Sequence, residues 1–180
     1  MNVRVIAGKY GGRIIEGSGT NRTHPMSERL RNALFNIISD EVKGARVLDA
    51  FAGSGAIGLE AMSRGAEAAV FVERDKVAQK IIEKNILSLG VENTTIVKAP
   101  VRAWAKSVKD DGFDIIFADP PYHDPQFSTV LELIGLLKAN GLMVLSYPGR
   151  GEAPTANGVV VVDNRSYGTA ALAFYRKRDA

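Results

Sequence analysis

Residues 47–58 of this chain read VLDAFAGSGAIG, an apolar run that passes into three closely spaced glycines. The glycines match the pattern G-x-G-x-x-G, and Glu73 follows 20 residues after the first of them, Gly53. Sheets that bind nucleotides have such a loop between a strand and a helix, where glycines admit the ligand and the later carboxylate binds ribose hydroxyls. The stretch therefore predicts an α/β fold with a nucleotide site after its first core strand.

Asp49 indicates which nucleotide this loop binds. A dinucleotide places its pyrophosphate at the N-terminus of the helix, where a carboxylate four residues before Gly53 would repel it. The same carboxylate suits a cationic ligand such as S-adenosylmethionine, which carries an ammonium and a sulfonium. The alternative is a structural role, in which Asp49 caps the loop.

Apolar strands alternate with helical segments along most of the chain, which predicts βαβ units. The predicted strands are Arg46–Phe51, Ala68–Glu73, Thr94–Lys98, Asp114–Ala118 and Leu142–Tyr147. The predicted helices are one that begins after an N-cap at Ser27, then Ala56–Arg64, Lys76–Leu89, Val101–Val108 and Gln126–Lys138. We expect a Rossmann-like fold, with helices on both faces of a seven-stranded, mostly parallel sheet.

The two ends of the chain depart from this alternation. Strands at Gly158–Val162 and Thr169–Tyr175, with a turn at Asn164–Gly168, predict a C-terminal hairpin that adds one antiparallel strand to the sheet. Short β-prone runs at Val3–Ala7 and Arg13–Glu16 predict a small N-terminal hairpin. We expect one domain, residues 1–180, made of a basic N-terminal arm at residues 1–26 and a core at residues 27–180.

Asp119-Pro120-Pro121-Tyr122 follows a buried strand and ends it, because two consecutive prolines cannot continue a β-ladder. The strand end then presents a carboxylate, proline carbonyls and an aromatic ring. Asp119 and the Pro120 carbonyl can accept the two hydrogens of an amino group on a planar base, while Tyr122 stacks on its face. The alternative is a rigid turn with a buried tyrosine.

Composition narrows the classes of function. The chain has no cysteine, and its only histidines are His24 and His123, so we expect no metal site. No apolar run reaches the length of a membrane helix and no cleavable leader opens the chain, so we expect a cytoplasmic protein without a membrane partner.

Positive charge is concentrated near the N-terminus. Residues 1–34 hold six basic and two acidic residues, whereas the remainder holds 17 basic and 18 acidic residues. A basic arm on a near-neutral body indicates a polyanionic partner, most simply nucleic acid. The alternative is a solvated surface face.

Taken together, these motifs resemble the RsmD family of 16S rRNA guanine-N2 methyltransferases, which are class I, S-adenosylmethionine-dependent enzymes. The resemblance covers nearly the whole length. It rests on residues 4–13 (RVIAGKYGGR), residues 29–37 (RLRNALFNI), the glycine loop, residues 71–75 (FVERD), Asp119–Tyr122 and the closing Tyr167-Gly168. It implies methylation of a guanine N2 amino group in rRNA, with rRNA or a small-subunit ribosomal particle as the partner of a monomeric enzyme.

The motifs and the resemblance together predict three sets of site residues. The catalytic set is Asp119, Pro120, Pro121 and Tyr122. The set that binds S-adenosylmethionine is Asp49, Phe51, Ala52, Gly53, Ser54, Gly55, Glu73, Arg74, Pro100, Val101 and Asp119. The RNA-binding set is Lys9, Tyr10, Arg13, Arg22, His24 and Arg29, interspersed with glycines that would leave the arm flexible.

The chain departs from the family pattern at three places, one of which is Tyr122, where many relatives carry a phenylalanine that can stack equally well. His24-Pro25-Met26 stands where the family has Arg-Pro-Thr, which removes an expected arginine contact to a carboxylate of substrate or cofactor. Ala99-Pro100-Val101 stands where a carboxylate often binds the adenine amino group, so backbone groups would have to recognise adenine.

Other functions stay open from the sequence. The pattern Asp-Pro-Pro-Tyr does not separate guanine N2 from adenine N6 in RNA or DNA, because both offer two amino hydrogens. A nicotinamide-dependent oxidoreductase would also use the glycine loop and Glu73, although Asp49 disfavours its pyrophosphate. A non-catalytic RNA-binding assembly factor on the same fold is the third alternative.

Overall fold

The structure is a computed structural model that describes residues 1–18, 26–109, 112–148, 153–155, 158–168 and 170–178. Its strands are β1 (Asn2–Arg4), β2 (Ile14–Glu16), β3 (Arg46–Ala50), β4 (Ala68–Val72), β5 (Thr94–Val97), β6 (Phe113–Ala118), β7 (Leu137–Pro148), β8 (Val159–Tyr167) and β9 (Ala170–Lys177). Its helices are α1 (Glu28–Ile37), α2 (Ser39–Val42), α3 (Ala56–Ser63), α4 (Lys76–Leu89), α5 (Val101–Ser107) and α6 (Phe127–Leu133), and a 3₁₀ turn covers Ile134–Leu136.

The main sheet has seven strands in the order β5-β4-β3-β6-β7-β9-β8. Strands β3 to β7 are parallel to one another, and β9 is antiparallel to both of its neighbours. The predicted Rossmann-like sheet with one antiparallel strand is therefore confirmed. The strands β3, β4 and β6 lie side by side, so their carboxyl ends meet at one edge and bring together the loops that follow them.

Two buried clusters of apolar side chains cover the two faces of this sheet. Adjacent residues of β6 belong to different clusters, because successive side chains of a strand point to opposite faces. Phe117 packs with residues of α1, α3 and α4, and its ring centroid lies 5.4 Å from that of Phe35. Ile116 packs with residues of α5 and α6. The helices on both faces are as predicted.

The predicted helix at Gln126–Lys138 is wrong in its second half. Helix α6 ends at Leu133, and β7 begins at Leu137, five residues before the predicted strand. Leu137 pairs with Phe113 of β6, and the pairing then shifts in register so that Ile115 lies opposite Leu142. The apolar run at residues 133–137 suits a helix or a strand, and the neighbouring strand β6 selects the strand.

The C-terminal hairpin is longer than predicted. Asn164 was expected in the turn, yet it pairs with Ala173 inside the ladder between β8 and β9, and Tyr147 donates to its side chain at 2.8 Å. The strands run on until Tyr167 faces Ala170, where Gly168 has a φ of 66°. The turn expected at Asn164–Gly168 is therefore wrong, and the chain reverses just after Tyr167.

The N-terminal hairpin is confirmed and is docked on the core rather than free. Its strands pair from Asn2 opposite Glu16 to Arg4 opposite Ile14. The segment between them lies on α3, where Glu60 accepts hydrogen bonds from the backbone N–H of Ile6 and Ala7 at 2.8 and 3.1 Å. The described part of the arm is therefore held on α3 by these two hydrogen bonds.

Gly8 shows why a glycine is needed where the arm meets α3. A Cβ at this position would lie 1.9 Å from the carbonyl oxygen of Ser63, and the backbone has a φ of 83°. The backbone N–H of Lys9 donates to the same carbonyl at 2.8 Å, and that of Tyr10 donates to the Ser63 hydroxyl at 2.9 Å. The glycine therefore permits close contact between two backbones.

Candidate active site

A cavity of about 320 Å³ opens at the edge where the carboxyl ends of β3, β4 and β6 meet. Most of the predicted cofactor and catalytic residues line it, namely Phe51, Ala52, Gly53, Ser54, Glu73, Arg74, Pro100, Val101, Asp119, Pro120 and Pro121. The structure thus brings together residues that lie far apart in sequence. Asp49, Gly55 and Tyr122 are not among the residues that line the cavity.

The three glycines of the loop have different tasks. Gly53 has a φ of 57°, and a Cβ there would meet no atom within 4 Å, so its backbone is open to a ligand. Gly55, with a φ of 83°, is the N-cap of α3. A Cβ at Gly58 would lie 2.4 Å from Cε1 of Phe71, so this glycine allows α3 to pack closely on β4.

Glu73 follows β4 and holds the glycine loop against the cavity. Its Oε1 accepts the backbone N–H of Gly53 at 2.8 Å, and its Oε2 accepts that of Asp75 at 2.8 Å. Each carboxylate oxygen can accept more than one hydrogen bond. Glu73 therefore fits the predicted role of binding ribose hydroxyls while it fixes the loop.

Asp49 lies beneath the glycine loop and is 1% exposed. Its Oδ2 accepts the backbone N–H of Gly58 at 2.9 Å, whereas Oδ1 is buried without a hydrogen-bond partner. Burial raises the pKa of Asp49 well above its usual range, the Gly58 hydrogen bond opposes this, and the charges of Asp119 and Glu73 add to it. One oxygen of Asp49 thus holds the first turn of the helix α3, whereas contact of this residue with a cationic ligand stays a prediction, because Asp49 does not border the cavity.

Asp119 ends β6 at the wall of the cavity. Burial raises the pKa of this carboxyl group to about 7, while a hydrogen bond with Ser146 acts in the opposite direction. The carboxyl group therefore titrates near neutral pH, so it can both accept an amino hydrogen and take up a proton.

Tyr122 is half-buried and faces the interior of the fold. Its ring packs against one of the apolar clusters, and its hydroxyl lies 3.3 Å from that of Ser146. Stacking of this ring on a target base stays a prediction, because the residue does not border the cavity in this conformation.

The predicted RNA-binding residues lie on or beside the docked arm. Lys9 and Arg13 are exposed; the Lys9 ammonium lies 5.5 Å from the Tyr10 ring, and Arg13 donates to the Ser88 carbonyl at 3.0 Å. Arg29 is exposed on α1. Arg22 and His24 lie outside the described residues.

The sequence reading missed several residues at this site. Ser146 was missed although a single serine within the apolar run of β7 was a usable signal. Arg31 was missed because an arginine of an amphipathic helix is normally expected at the surface, whereas it is 1% exposed and borders the cavity. The other residues of the lining that were not predicted are Ser18, Met26, Ala56, Ile57, Val72, Asp75, Ala78, His123 and Gln126.

Among the described residues, every helix is too short or too polar to cross a bilayer. Within the same part of the chain, no three His, Asp or Glu side chains are grouped so that they could hold a metal ion.

The sheet order, the glycine loop and the acidic cavity define a Rossmann-like fold of the class I methyltransferase type. The sequence matches the family described as "Conserved hypothetical protein 95" over residues 3–176. The chain belongs to this family.

Three relatives illustrate the match. The ribosomal RNA small subunit methyltransferase D of Escherichia coli K12 is 34% identical over 139 residues, which cover 77% of this chain and 68% of that protein. YlbH of Bacillus subtilis, provisionally named an rRNA methyltransferase, is 33% identical over 98% of this chain and 100% of its own. The solved structure of YhhF from Escherichia coli, provisionally described as a methyltransferase, has a TM-score of 0.90 at 28% identity and full coverage of both chains. The resemblance to the RsmD family is thereby confirmed.

Proposed function

We propose that this protein methylates the exocyclic N2 amino group of a guanine in 16S rRNA, with S-adenosylmethionine as the methyl donor. The observation that carries the proposal is a single cavity that joins Glu73, beside the glycine loop, to Asp119 and Pro120. The carboxylate that we assign to the ribose and the residues that we assign to the amino group thus border the same space. The names of the relatives support rRNA of the small subunit as the substrate.

The residues of the cavity fit this methyl donor, whose sulfonium supplies an activated methyl group when bound. Glu73 would hold the ribose hydroxyls, and the open backbone at Gly53 leaves room beside them. Asp49 would act from beneath the glycine loop, since it does not border the cavity itself. Backbone groups around Pro100 and Val101 would contact the adenine.

Asp119 and the Pro120 carbonyl would hold the two hydrogens of the target amino group. An arylamine nitrogen is a weak nucleophile, because its lone pair is delocalised into the ring. Fixing both hydrogens favours a pyramidal nitrogen and aims its lone pair at the methyl carbon, so alignment supplies most of the acceleration. After transfer, the surplus proton on the nitrogen passes to Asp119 or to water.

The test begins with ligand binding and ends with the product. Calorimetry should show that S-adenosylhomocysteine binds and that NAD does not; the reverse result would indicate the oxidoreductase. The protein is then incubated with unmodified small subunits, and in parallel with naked 16S rRNA, in the presence of S-adenosylmethionine. Mass spectrometry of the nucleosides should show N2-methylguanosine, absent from reactions with Asp119→Ala.

Two other products of this experiment would overturn the proposal. N6-methyladenosine would assign the acceptor pair to adenine. Binding of RNA and S-adenosylhomocysteine without any methylated nucleoside, on either substrate, would favour the non-catalytic assembly factor.

A further inference from the structure

Strain in the backbone is concentrated at the cavity. Among the described residues, those other than glycine that have a positive φ are Asn93, Asn140, Phe51 and Gln126. Asparagine adopts this left-handed conformation readily, whereas phenylalanine and glutamine do not. Phe51, with a φ of 61°, and Gln126, with a φ of 48°, both border the cavity. Because such strain clusters at functional sites, both residues are candidates for a role in ligand binding.

Gln126 belongs to the loop that carries Asp119. This loop turns where the backbone N–H of Asp124 donates to the Pro121 carbonyl at 3.0 Å, and it ends at Gln126, the N-cap of α6. The residues of the loop that border the cavity are Asp119, Pro120, Pro121, His123 and Gln126. The residues that we assign to the ribose and the adenine follow β4 and β5 instead. Gln126 is therefore in the part of the cavity wall that we assign to the target base.

The side-chain amide of Gln126 is available to a ligand. Within the part of the chain that the structure describes, this amide takes part in no hydrogen bond, and the residue is half-buried. A primary amide has an acceptor oxygen and a donor NH₂ group side by side. It can therefore form two hydrogen bonds with a partner that has an N–H next to a carbonyl group.

Guanine is such a partner and adenine is not. The Watson–Crick edge of guanine has the amino group N2, the ring N1–H and the carbonyl O6 in that order, whereas adenine in a nucleic acid has neither a ring N–H nor a carbonyl. With the amino hydrogens on Asp119 and the Pro120 carbonyl, N1–H and O6 are left for the amide. Enzymes that act on a base read it through hydrogen bonds to this edge.

We propose that Gln126 selects guanine as the target base, because its amide oxygen accepts N1–H and its NH₂ group donates to O6. This inference rests on the proposed function, since it names the residue that distinguishes guanine N2 from adenine N6. The residues from Asp119 to Tyr122 do not make this distinction, because both bases offer two amino hydrogens. A site that pairs with polar groups of its substrate rejects an analogue that lacks them.

The test compares guanine with 2-aminopurine as the target base. 2-Aminopurine keeps the amino group at C2 but lacks N1–H and O6, so it offers the methyl acceptor without the edge that Gln126 reads. 16S rRNA is prepared with either base at the methylated position, which mass spectrometry of RNA fragments locates. The kcat/KM of the unaltered protein should be roughly 10- to 100-fold higher for guanine, the range for two hydrogen bonds between uncharged groups.

Gln126→Met removes the amide but keeps the length of the side chain and the strain of the backbone. Its kcat/KM should fall by the same factor on guanine and stay within about threefold on 2-aminopurine. Any difference in reactivity between the two amino groups cancels, because the same two bases are compared in both proteins. A full preference for guanine in Gln126→Met overturns the inference.

His123→Ala is the matched control. His123 borders the cavity from the same loop, but it lacks the adjacent donor and acceptor of an amide. This variant should keep the preference of the unaltered protein for guanine. Loss of the preference in His123→Ala alone would assign the recognition of guanine to the imidazole. An equal loss in both variants would show that the loop as a whole, and not the Gln126 amide, is required.

Cofactor binding and folding are measured separately. Gln126→Met should bind S-adenosylhomocysteine with unchanged affinity in calorimetry; weaker binding with an unaltered preference for guanine would place Gln126 at the cofactor. If thermal unfolding shows that Gln126→Met is not folded, Gln126→Gly removes the amide, relieves the strain and should also lose the preference. Equal kcat/KM of the unaltered protein on the two bases overturns the role of Gln126 without any variant. Absence of methyl transfer to either base overturns the proposed function itself.

Discussion

Asp119 gives the site a pH dependence that can be measured. Its pKa of about 7 means that the carboxyl group is protonated below neutral pH, where it is a weaker acceptor for its amino hydrogen and cannot take up the proton that methyl transfer releases. We therefore expect kcat/KM for RNA to rise roughly tenfold between pH 6 and pH 8 and then to level off. Asp119→Asn keeps one acceptor oxygen and does not titrate. The rise of kcat/KM with pH, which is the acid limb of the profile, should therefore disappear in this variant. A limb that persists in this variant would assign the titration to another group.

The same shift predicts an effect on folding. The pKa of Asp119 is raised from its ordinary value of 3.8, so the folded state favours the protonated form. Its contribution to stability is therefore complete below about pH 4 and is lost as the pH rises through about 7. The free energy of unfolding, measured in urea, should decline as the pH rises from about 4 to about 7. Asp119→Asn should make this decline less steep, because the residue no longer titrates.

Ser146 positions Asp119 and Tyr122 from the neighbouring strand. Because its hydrogen bond lowers the pKa of Asp119, Ser146→Ala should move the acid limb of kcat/KM to higher pH. Tyr122→Phe is the control, since it removes the contact between the two hydroxyls and keeps the one to Asp119. If the acid limb of kcat/KM lies at the same pH in Ser146→Ala, Ser146 contributes only packing and does not affect the pKa of Asp119.

Glu73 holds both the loop and, in our proposal, the ribose. Glu73→Ala should weaken S-adenosylhomocysteine by about 1.5–3 kcal/mol, the range for hydrogen bonds to a charged group. Calorimetry measures this directly. Glu83→Ala, which removes a surface carboxylate paired with Lys98, should leave the affinity unchanged. Equal affinities in the two variants would exclude Glu73 from the site.

At the scale of elements, the docking of the N-terminal arm depends on Gly8. Gly8 and Gly12 have φ values of 83° and 85°, so an alanine is equally strained at either position. Only a Cβ at Gly8 meets the backbone of α3. Urea unfolding should therefore show Gly8→Ala to be less stable than Gly12→Ala by about 1–3 kcal/mol. Similar stabilities would mean that the arm leaves α3 at little cost.

Docking changes how the arm would act on RNA. The backbone of residues 6–10 is fixed on α3, while Lys9 and Arg13 are exposed. Cations on a fixed backbone can hold phosphates at a set position relative to the cavity, which orients a substrate without reading its sequence. We therefore retain the RNA-binding role of Lys9, Tyr10, Arg13, Arg22, His24 and Arg29 as a proposal.

At the scale of the molecule, the excess of positive charge should govern RNA affinity. Changing Lys9, Arg13 and Arg22 together to glutamine should raise the KM for RNA and flatten the dependence of its affinity on salt, because fewer counterions are released on binding. Affinity for S-adenosylhomocysteine should stay the same. The control changes three exposed lysines elsewhere, Lys43, Lys106 and Lys109, for the same net charge. An equal loss of RNA affinity in both triple variants would show that RNA binding depends only on the total charge of the protein and not on the position of the arm.

Much of this molecule follows from local sequence. The glycine loop, the N-cap at Ser27 and the two prolines after Asp119 act within a few residues, because each limits the backbone directly. Alternation of strands and helices then implies a parallel sheet, and a parallel sheet places Glu73 and Asp119 at one edge. Fold class and about half of the cavity lining were therefore predictable.

Tertiary contacts decided the rest. Leu137 is in a strand because Phe113 is available to pair with it, and no local pattern specifies that partner. Tyr122 faces Ser146, and Arg31 is buried beneath the N-terminal arm, because segments distant in sequence pack over them. Helical periodicity shows which residues share a face, but burial depends on what covers that face. The sequence thus determined the fold and the acidic residues of the site. Which charged side chains are buried, and which groups they contact, depended on the tertiary packing.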